Sequence, residues 1–271
     1  MTTDSTSREW NASVYHRVSD PQFEWGLKVL NRLQLRGDET VLDAGCGTGR
    51  LTAELLRRLP RGRVVALDVS RNMLQTAEEN LQPEFGGRVT FLSADVGNLL
   101  ADHPELAGSF DGIFSTATFH WVLDHDKLFS NLFQALRPGG WIHAQCGGGL
   151  NLARLLQRFS VLAESAALRP FLAAAPSPWT YASDVETAER LRRCGFMNVD
   201  TSLEPAPAFF DSGPAFSEFV ESVILRSYLQ LITEEHLRRN LLDQLTEQAA
   251  NDTPPFELDY WRLNLHASRP R

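Results

Sequence analysis

The sequence predicts an α/β fold: a mostly parallel sheet with helices on both faces, enlarged by helical segments. Two observations carry that class. From Thr40 to Gln145, short β-branched or apolar runs alternate with longer segments of helical period, as parallel strands joined by crossover helices do. The chain is also long: 271 residues exceed the roughly 100–200 of an ordinary domain, so it holds one enlarged domain or a domain with a smaller module.

The strands read as Thr40 to Ala44, Arg63 to Asp68, Arg88 to Ser93, Phe110 to Ser115 and Trp141 to Gln145. Leu51, Leu55, Leu56 and Leu59 form one face of a helix after the first strand, which Pro60 and Gly62 stop. Leu128, Phe129, Leu132, Phe133 and Leu136 form another after the fourth, ending in the turn Arg137-Pro138-Gly139-Gly140. Beyond Gln145 the rhythm changes. A stripe of Leu152, Leu155, Leu156, Phe159 and Leu162 leads into a Pro-rich stretch, Pro170 to Trp179. Ser183 and Glu186 then fit a capping box that opens a helix closed by Gly195, and a strand follows from Phe196 to Leu203. Asp211 to Asn251 is helical, with Phe216, Phe219, Val220, Val223 and Ile224 on one face and Thr233 starting a further helix. Phe256 to Ser268 reads as one long terminal strand.

Composition excludes several classes. With 43% hydrophobic and 22% charged residues, and no apolar run near the roughly 20 needed to cross a bilayer, a soluble chain without a membrane partner is expected. The start, MTTDSTSREW, has neither the basic flank nor the apolar stretch of a signal peptide. Cys46, Cys146 and Cys194 are an odd, scattered set, which fits a reducing cytoplasm and gives no metal cluster. Acidic residues outnumber basic ones, 34 to 26, for a net charge of −8, which disfavours a nucleic-acid partner.

The chemistry concentrates at the first strand. Val41-Leu42-Asp43-Ala44-Gly45-Cys46-Gly47-Thr48-Gly49-Arg50 sets an acid at a strand end and three alternate glycines in the turn before a helix. Such a turn lets a ligand reach the backbone and the first N–H groups of the helix. The dinucleotide fingerprint G-x-G-x-x-G would need glycine where Arg50 stands, and Asp43 would repel a pyrophosphate but suit an ammonium group. Asp68 closes the second strand, where a carboxylate can accept hydrogen bonds from ribose hydroxyls, and Asp95 follows the third.

On VLDAGCGTG, the acid in VVALDVS, SADV and the LRPGG turn, the stretch from Tyr15 to Gln145 resembles the class I S-adenosylmethionine-dependent methyltransferases. The resemblance implies a Rossmann-like, seven-stranded, mostly parallel sheet whose last strand is antiparallel. It implies that Asp43, Gly45, Gly47 and Gly49 hold the methionine moiety, Asp68 the ribose, and Met73, Asp95 and Val96 the adenine, with Tyr15 and Val69 also at the cofactor. Trp10-Asn11-x-x-x-Tyr15 and Phe119-His120-Trp121-Val122 are similar to small-molecule carboxyl methyltransferases of the trans-aconitate and juvenile-hormone-acid kinds; where those often carry Asn after the fourth strand, this chain has Ser115-Thr116-Ala117-Thr118.

Residues 1–146 are then a cap helix and the cofactor-binding half, 147–182 a helical insertion, 183–204 a core helix and strand, 205–255 a helical lid insertion, and 256–271 the final core strand. The acceptor is expected to be a small molecule, reached by Tyr15, His120, Trp121, Arg154 and Trp179, with Tyr181, Arg158 and Arg226 as further candidates. Methyl transfer is an in-line displacement that asks chiefly for alignment and a partly dry site. A carboxylate acceptor, with a reference pKa of about 4, needs no base. An amine or carbon acceptor does, and His120 is then the catalytic candidate. O-methylation of a carboxylate is the leading expectation; N- or C-methylation with His120 as base, or cofactor binding without transfer, are the alternatives.

Overall fold

The computed structural model describes residues 20–271 and divides into two compact units. The first holds the described residues up to Gly149, Trp179–Leu203 and Leu263–Arg271; the second holds Leu150–Pro178 and Glu204–Arg262. Trp10, Asn11 and Tyr15 lie outside the described residues.

The strands in chain order are β1 (Thr40–Ala44), β2 (Arg63–Asp68), β3 (Val89–Ser93), β4 (Phe110–Thr116), β5 (Leu136–Gly147), β6 (Met197–Pro205), β7 (Ala208–Phe209), β8 (Glu257–Leu258) and β9 (Trp261–Ser268). The helices are α1 (Asp20–Asn31), α2 (Arg50–Arg58), α3 (Arg71–Phe85), α4 (Leu99–Asp102), α5 (His125–Ala135), α6 (Ala153–Ala163), α7 (Arg169–Leu172), α8 (Asp184–Arg193), α9 (Gly213–Phe219), α10 (Arg226–Leu229) and α11 (Glu235–Ala250).

The first unit is organised by a seven-stranded sheet in the order β3-β2-β1-β4-β5-β9-β6. The pairs β1/β2, β2/β3, β1/β4 and β4/β5 are parallel. Side chains alternate between the faces of a strand, and the two apolar clusters follow that alternation. Leu42, Ala44 and Leu67 join Leu128, Phe129 and Leu132 of α5 and Leu191 of α8; Val41, Val64 and Ala66 join Val29 and Leu30 of α1, Leu55 and Leu56 of α2, and Leu81 of α3. Both faces of β1 are therefore dry, and burying each Leu or Val contributes about 1.5–3 kcal/mol. The caps follow the sequence: Ser70 Oγ accepts from Met73 N at the start of α3, and the Ser183/Glu186 capping box opens α8.

This order sets the site. β1 is flanked by β2 on one side and β4 on the other, so the chain leaves it in opposite directions and a crevice opens at the carboxyl ends of β1 and β4.

Two sequence expectations change. Arg137-Pro138-Gly139-Gly140 does not form a separate turn but lies inside β5, where the β4/β5 register shifts between Phe110 and Gly112 to absorb it. The terminal strand is not continuous from 256: Phe256 takes φ 54°, β8 pairs with β7, and β9 begins only at Trp261. Period-two alternation persists through Asp259 and Tyr260, but their backbone turns, with Tyr260 N bonded to Leu258 O.

The second unit is mostly helical and holds the β7/β8 ladder. Phe216, Phe219, Val220, Val223 and Ile224 are buried, as their spacing requires, but a π-helical turn at Val220–Ile224 and the short α10 break the stretch before α11. Among the described residues no helix is long and apolar enough to cross a membrane.

Candidate active site at the carboxyl ends of β1 and β4

The turn after β1 is tied to β2. Gly45 N and Cys46 N both donate to Leu67 O, at 2.8 and 2.9 Å, and Gly47 N donates to Asp68 Oδ2 at 2.9 Å. The other oxygen, Asp68 Oδ1, accepts from Ser70 N at 2.9 Å. One carboxylate thus links the glycine turn to the start of α3. Gly45 takes φ 86°, and a Cβ there would lie 1.9 Å from Thr118 Oγ1, so the turn after β4 closes directly onto it. Gly47 takes φ 55°, yet a Cβ there would meet nothing within 4 Å among the described residues. That open space beside the backbone is where a ligand can approach.

Asp43 is only 2% exposed and accepts from Thr52 Oγ1 of α2 at 2.6 Å. Burial pushes its carboxyl up to about 7, with the Thr52 bond opposing and Asp68 adding to the rise. A cationic group brought to this acid would restore its charged form. Cys46, in the same turn, has its thiol pushed well above its ordinary range by burial and by Asp68 and Asp43, so it is a packing group rather than a nucleophile. Asp95 Oδ1 accepts from Gly97 N at 2.9 Å and so caps the 3₁₀ turn Val96–Asn98. Met73 and Val96 are buried, and Val69 is half-buried between Asp68 and Ser70.

After β4 the chain turns through Ala117, at φ 55° with its N–H on Gln145 O, into the 3₁₀ turn Phe119–Trp121. His120 is held from two directions. Gly147 N donates to its Nδ1 at 3.3 Å, and its backbone oxygen accepts from Thr180 N at 2.7 Å. A ring nitrogen that accepts carries the lone pair, so the proton of the neutral imidazole sits on Nε2. The ring lies 5.2 Å from Trp121 and 5.8 Å from Tyr181; Trp179 stacks on Tyr181 and meets Trp121 edge-on, each at 5.7 Å. One step behind, His125 Nε2 lies 3.0 Å from Phe119 O and supports the turn.

A family model described as a methyltransferase domain matches residues 41–140. The trans-aconitate 2-methyltransferase of Deinococcus radiodurans is 35% identical over 136 residues, a match spanning about half of each chain: 50% of this one and 48% of the relative. That of Methylobacterium radiotolerans is 30% identical over 263 residues, 91% of both chains. The chain belongs to the S-adenosylmethionine-dependent methyltransferases. Among solved structures, Haemonchus contortus phosphoethanolamine N-methyltransferase 2 with S-adenosylhomocysteine superposes with a TM-score of 0.60 at 18% identity, covering 96% of this chain and 57% of that one. A [4+2]-cyclase, SpnF, superposes at 0.57 and 17%, covering 91% and 81%, so the likeness is one of fold and leaves the acceptor chemistry to the site.

In this methyltransferase the expected residues fall in two groups. Asp43, Gly45, Gly47, Gly49, Asp68, Val69, Met73, Asp95, Val96, His120, Trp121 and Trp179 lie in the first unit. Arg154 lies in the second, where its guanidinium donates to Glu257 O at 2.9 Å and Glu257 Oε1 at 3.0 Å and pairs with Asp252; Arg158 grips the same Asp252 through both carboxylate oxygens. Those two arginines hold Asp252 below its ordinary range. Thr52, Gly147 and His125 were not singled out from the sequence. Thr52 was the most legible of them, a polar side chain in the helix turn directly after the glycines, whereas Gly147 acts through a backbone N–H that any residue carries.

Proposed function

We propose that this methyltransferase transfers the methyl group of S-adenosylmethionine to a carboxylate oxygen of a small acceptor, with trans-aconitate as the first compound to test. The observation that carries the reading is the Gly147 N–H bond to His120 Nδ1, which makes Nε2 a donor and withholds the lone pair that a general base would use. A donor suits an acceptor that is already ionised, since it can orient a carboxylate without taking a proton from it. The full-length relatives named trans-aconitate 2-methyltransferase support the same class.

The cofactor supplies an electrophilic methyl group on a sulfonium. Asp43 would meet its ammonium, Gly45, Gly47 and Gly49 its methionine backbone, Asp68 and Val69 its ribose, and Met73, Asp95 and Val96 its adenine. The open face at Gly47 fits that assignment. His120, Trp121 and Trp179 would hold the acceptor: the imidazole N–H by one oxygen, the two indoles by walls that exclude water. The net charge of −8 supports a small acceptor over nucleic acid, and the three unbridged cysteines support a reducing, cytoplasmic setting.

The test is transfer of labelled methyl from S-adenosylmethionine to trans-aconitate, followed by mild base. An ester releases its label as methanol, as this reading expects. Label that stays on the acceptor after base would mean N- or C-methylation, and no transfer to any carboxylate in a screen would overturn the reading.

A further inference from the structure

Away from the glycine turn, the first unit contains a second polar cavity of about 240 Å³ on the face of the sheet beside α1. Val29 of α1 and Arg32 just beyond its end, His143 and Ala144 of β5, Asn264, Leu265 and His266 of β9, and Asp200 and Ser202 of β6 line it. The volume exceeds the roughly 30 Å³ share of one water several-fold.

Asn264 decides its character. It is 7% exposed, and its Oδ1 accepts from Arg32 Nη1 at 3.0 Å and from Gln145 Nε2 at 2.7 Å. A guanidinium can only donate, so the amide orientation is determined and Nδ2 must be the other atom. That buried nitrogen has no hydrogen-bond partner among the described residues, and neither has Nδ1 of His266. The rings of His143 and His266 lie 4.0 Å apart. Beside them stand the Arg32 guanidinium and, on the exposed edge strand β6, the Ser202 hydroxyl. The lining thus presents one settled unmatched donor, Asn264 Nδ2, beside the Arg32 guanidinium, and its one carboxylate, Asp200, is on the exposed edge strand. Leaving a buried donor unmatched is costly, so such a lining selects a ligand that brings acceptors.

We propose that this cavity binds a small oxyanion, a carboxylate or a phosphate, received by Asn264 Nδ2, the Arg32 guanidinium and the His143–His266 pair. Among the described residues, the groups facing the pair are Arg32 just after α1, Asp200 from β6 and the two imidazoles themselves, from β5 and β9. Burial, His266 and Arg32 hold His143 down to about 4. An anion offsets the last two, so binding takes up protons and tightens as the pH falls.

Calorimetry on the full chain, saturated with S-adenosylhomocysteine so that the glycine-turn site is filled, tests this with inorganic phosphate and, separately, acetate. At least one of the two is expected to bind saturably, more tightly at about pH 5.5 than at about pH 7.5; the arm that binds tighter names the class. Asn264→Asp keeps an acceptor for Arg32 and Gln145 while adding a like charge, and Ser202→Asp adds one from an exposed strand that tolerates it. Each should weaken binding at least ~10-fold. Failure of both anions to bind at either pH, or wild-type affinity in both variants, overturns the proposal.

Discussion

Gly147 donates its backbone N–H to Nδ1 of His120, which sets the imidazole with its proton on Nε2. The consequence is kinetic. His120→Gln keeps a side-chain N–H donor and is expected to retain most of the turnover, whereas His120→Ala should lose about 1.5–3 kcal/mol of transition-state binding, the worth of a hydrogen bond to a charged group. Steady-state kinetics with a carboxylate acceptor checks it. A Gln variant as inactive as the Ala variant, with both down about 10²–10⁴-fold, would instead mark a proton-transfer role.

Asp68 joins two functions, since its oxygens cap Gly47 N and Ser70 N at the place where ribose is expected. Asp68→Ala should therefore lower the melting temperature and weaken S-adenosylhomocysteine binding about tenfold or more. Asp68→Asn, which keeps one acceptor, should fall between. Calorimetry showing wild-type affinity in the Ala variant would remove the ribose assignment.

The two glycines of the turn separate packing from binding. Gly45→Ala drives a methyl into Thr118 and should destabilise the fold by several kcal/mol, about the cost of overpacking plus backbone strain. Gly47→Ala meets open space and should cost only about 1 kcal/mol for its left-handed backbone. Its loss should appear in cofactor affinity instead. Thermal melts with and without S-adenosylhomocysteine distinguish the two, and equal melting losses for both variants would contradict the geometry.

Asp43 makes the cofactor-free protein sensitive to pH. Its carboxyl rises from 3.8 to about 7 on folding, because burial disfavours the charge. The folded state then holds a proton that the unfolded state has released, so this contribution is present below about pH 4 and is lost as the pH climbs through about 7. A rise of that size is worth at most about 4 kcal/mol. Melting of the wild type should fall between about pH 5 and pH 8 relative to Asp43→Asn, and parallel curves for the two would exclude the effect.

Much of the fold was legible because its signals are local. The parallel strands from Thr40 to Gln145 alternate with helices whose periods differ, and the Ser183/Glu186 box and the glycine turn are each contained within a few residues. The start of the terminal strand is not legible in the sequence, because alternation of side chains does not report where a backbone turns, as it does at Asp259 and Tyr260. Arg137 to Gly140 carried turn residues, yet an irregular register let β5 run through them.

By itself the sequence determined the parallel strands from Thr40 to Gln145, the acids at their ends and the glycine turn after the first of them, since these depend on backbone periodicity and on residues adjacent in the chain. Tertiary structure alone decided which atom of His120 bears the proton, and which carboxylates hold Arg154. The partners stand 27 and 103 residues away. A hydrogen bond is short and directional, so its partner is chosen by where the folded backbone arrives, and no local pattern encodes that meeting.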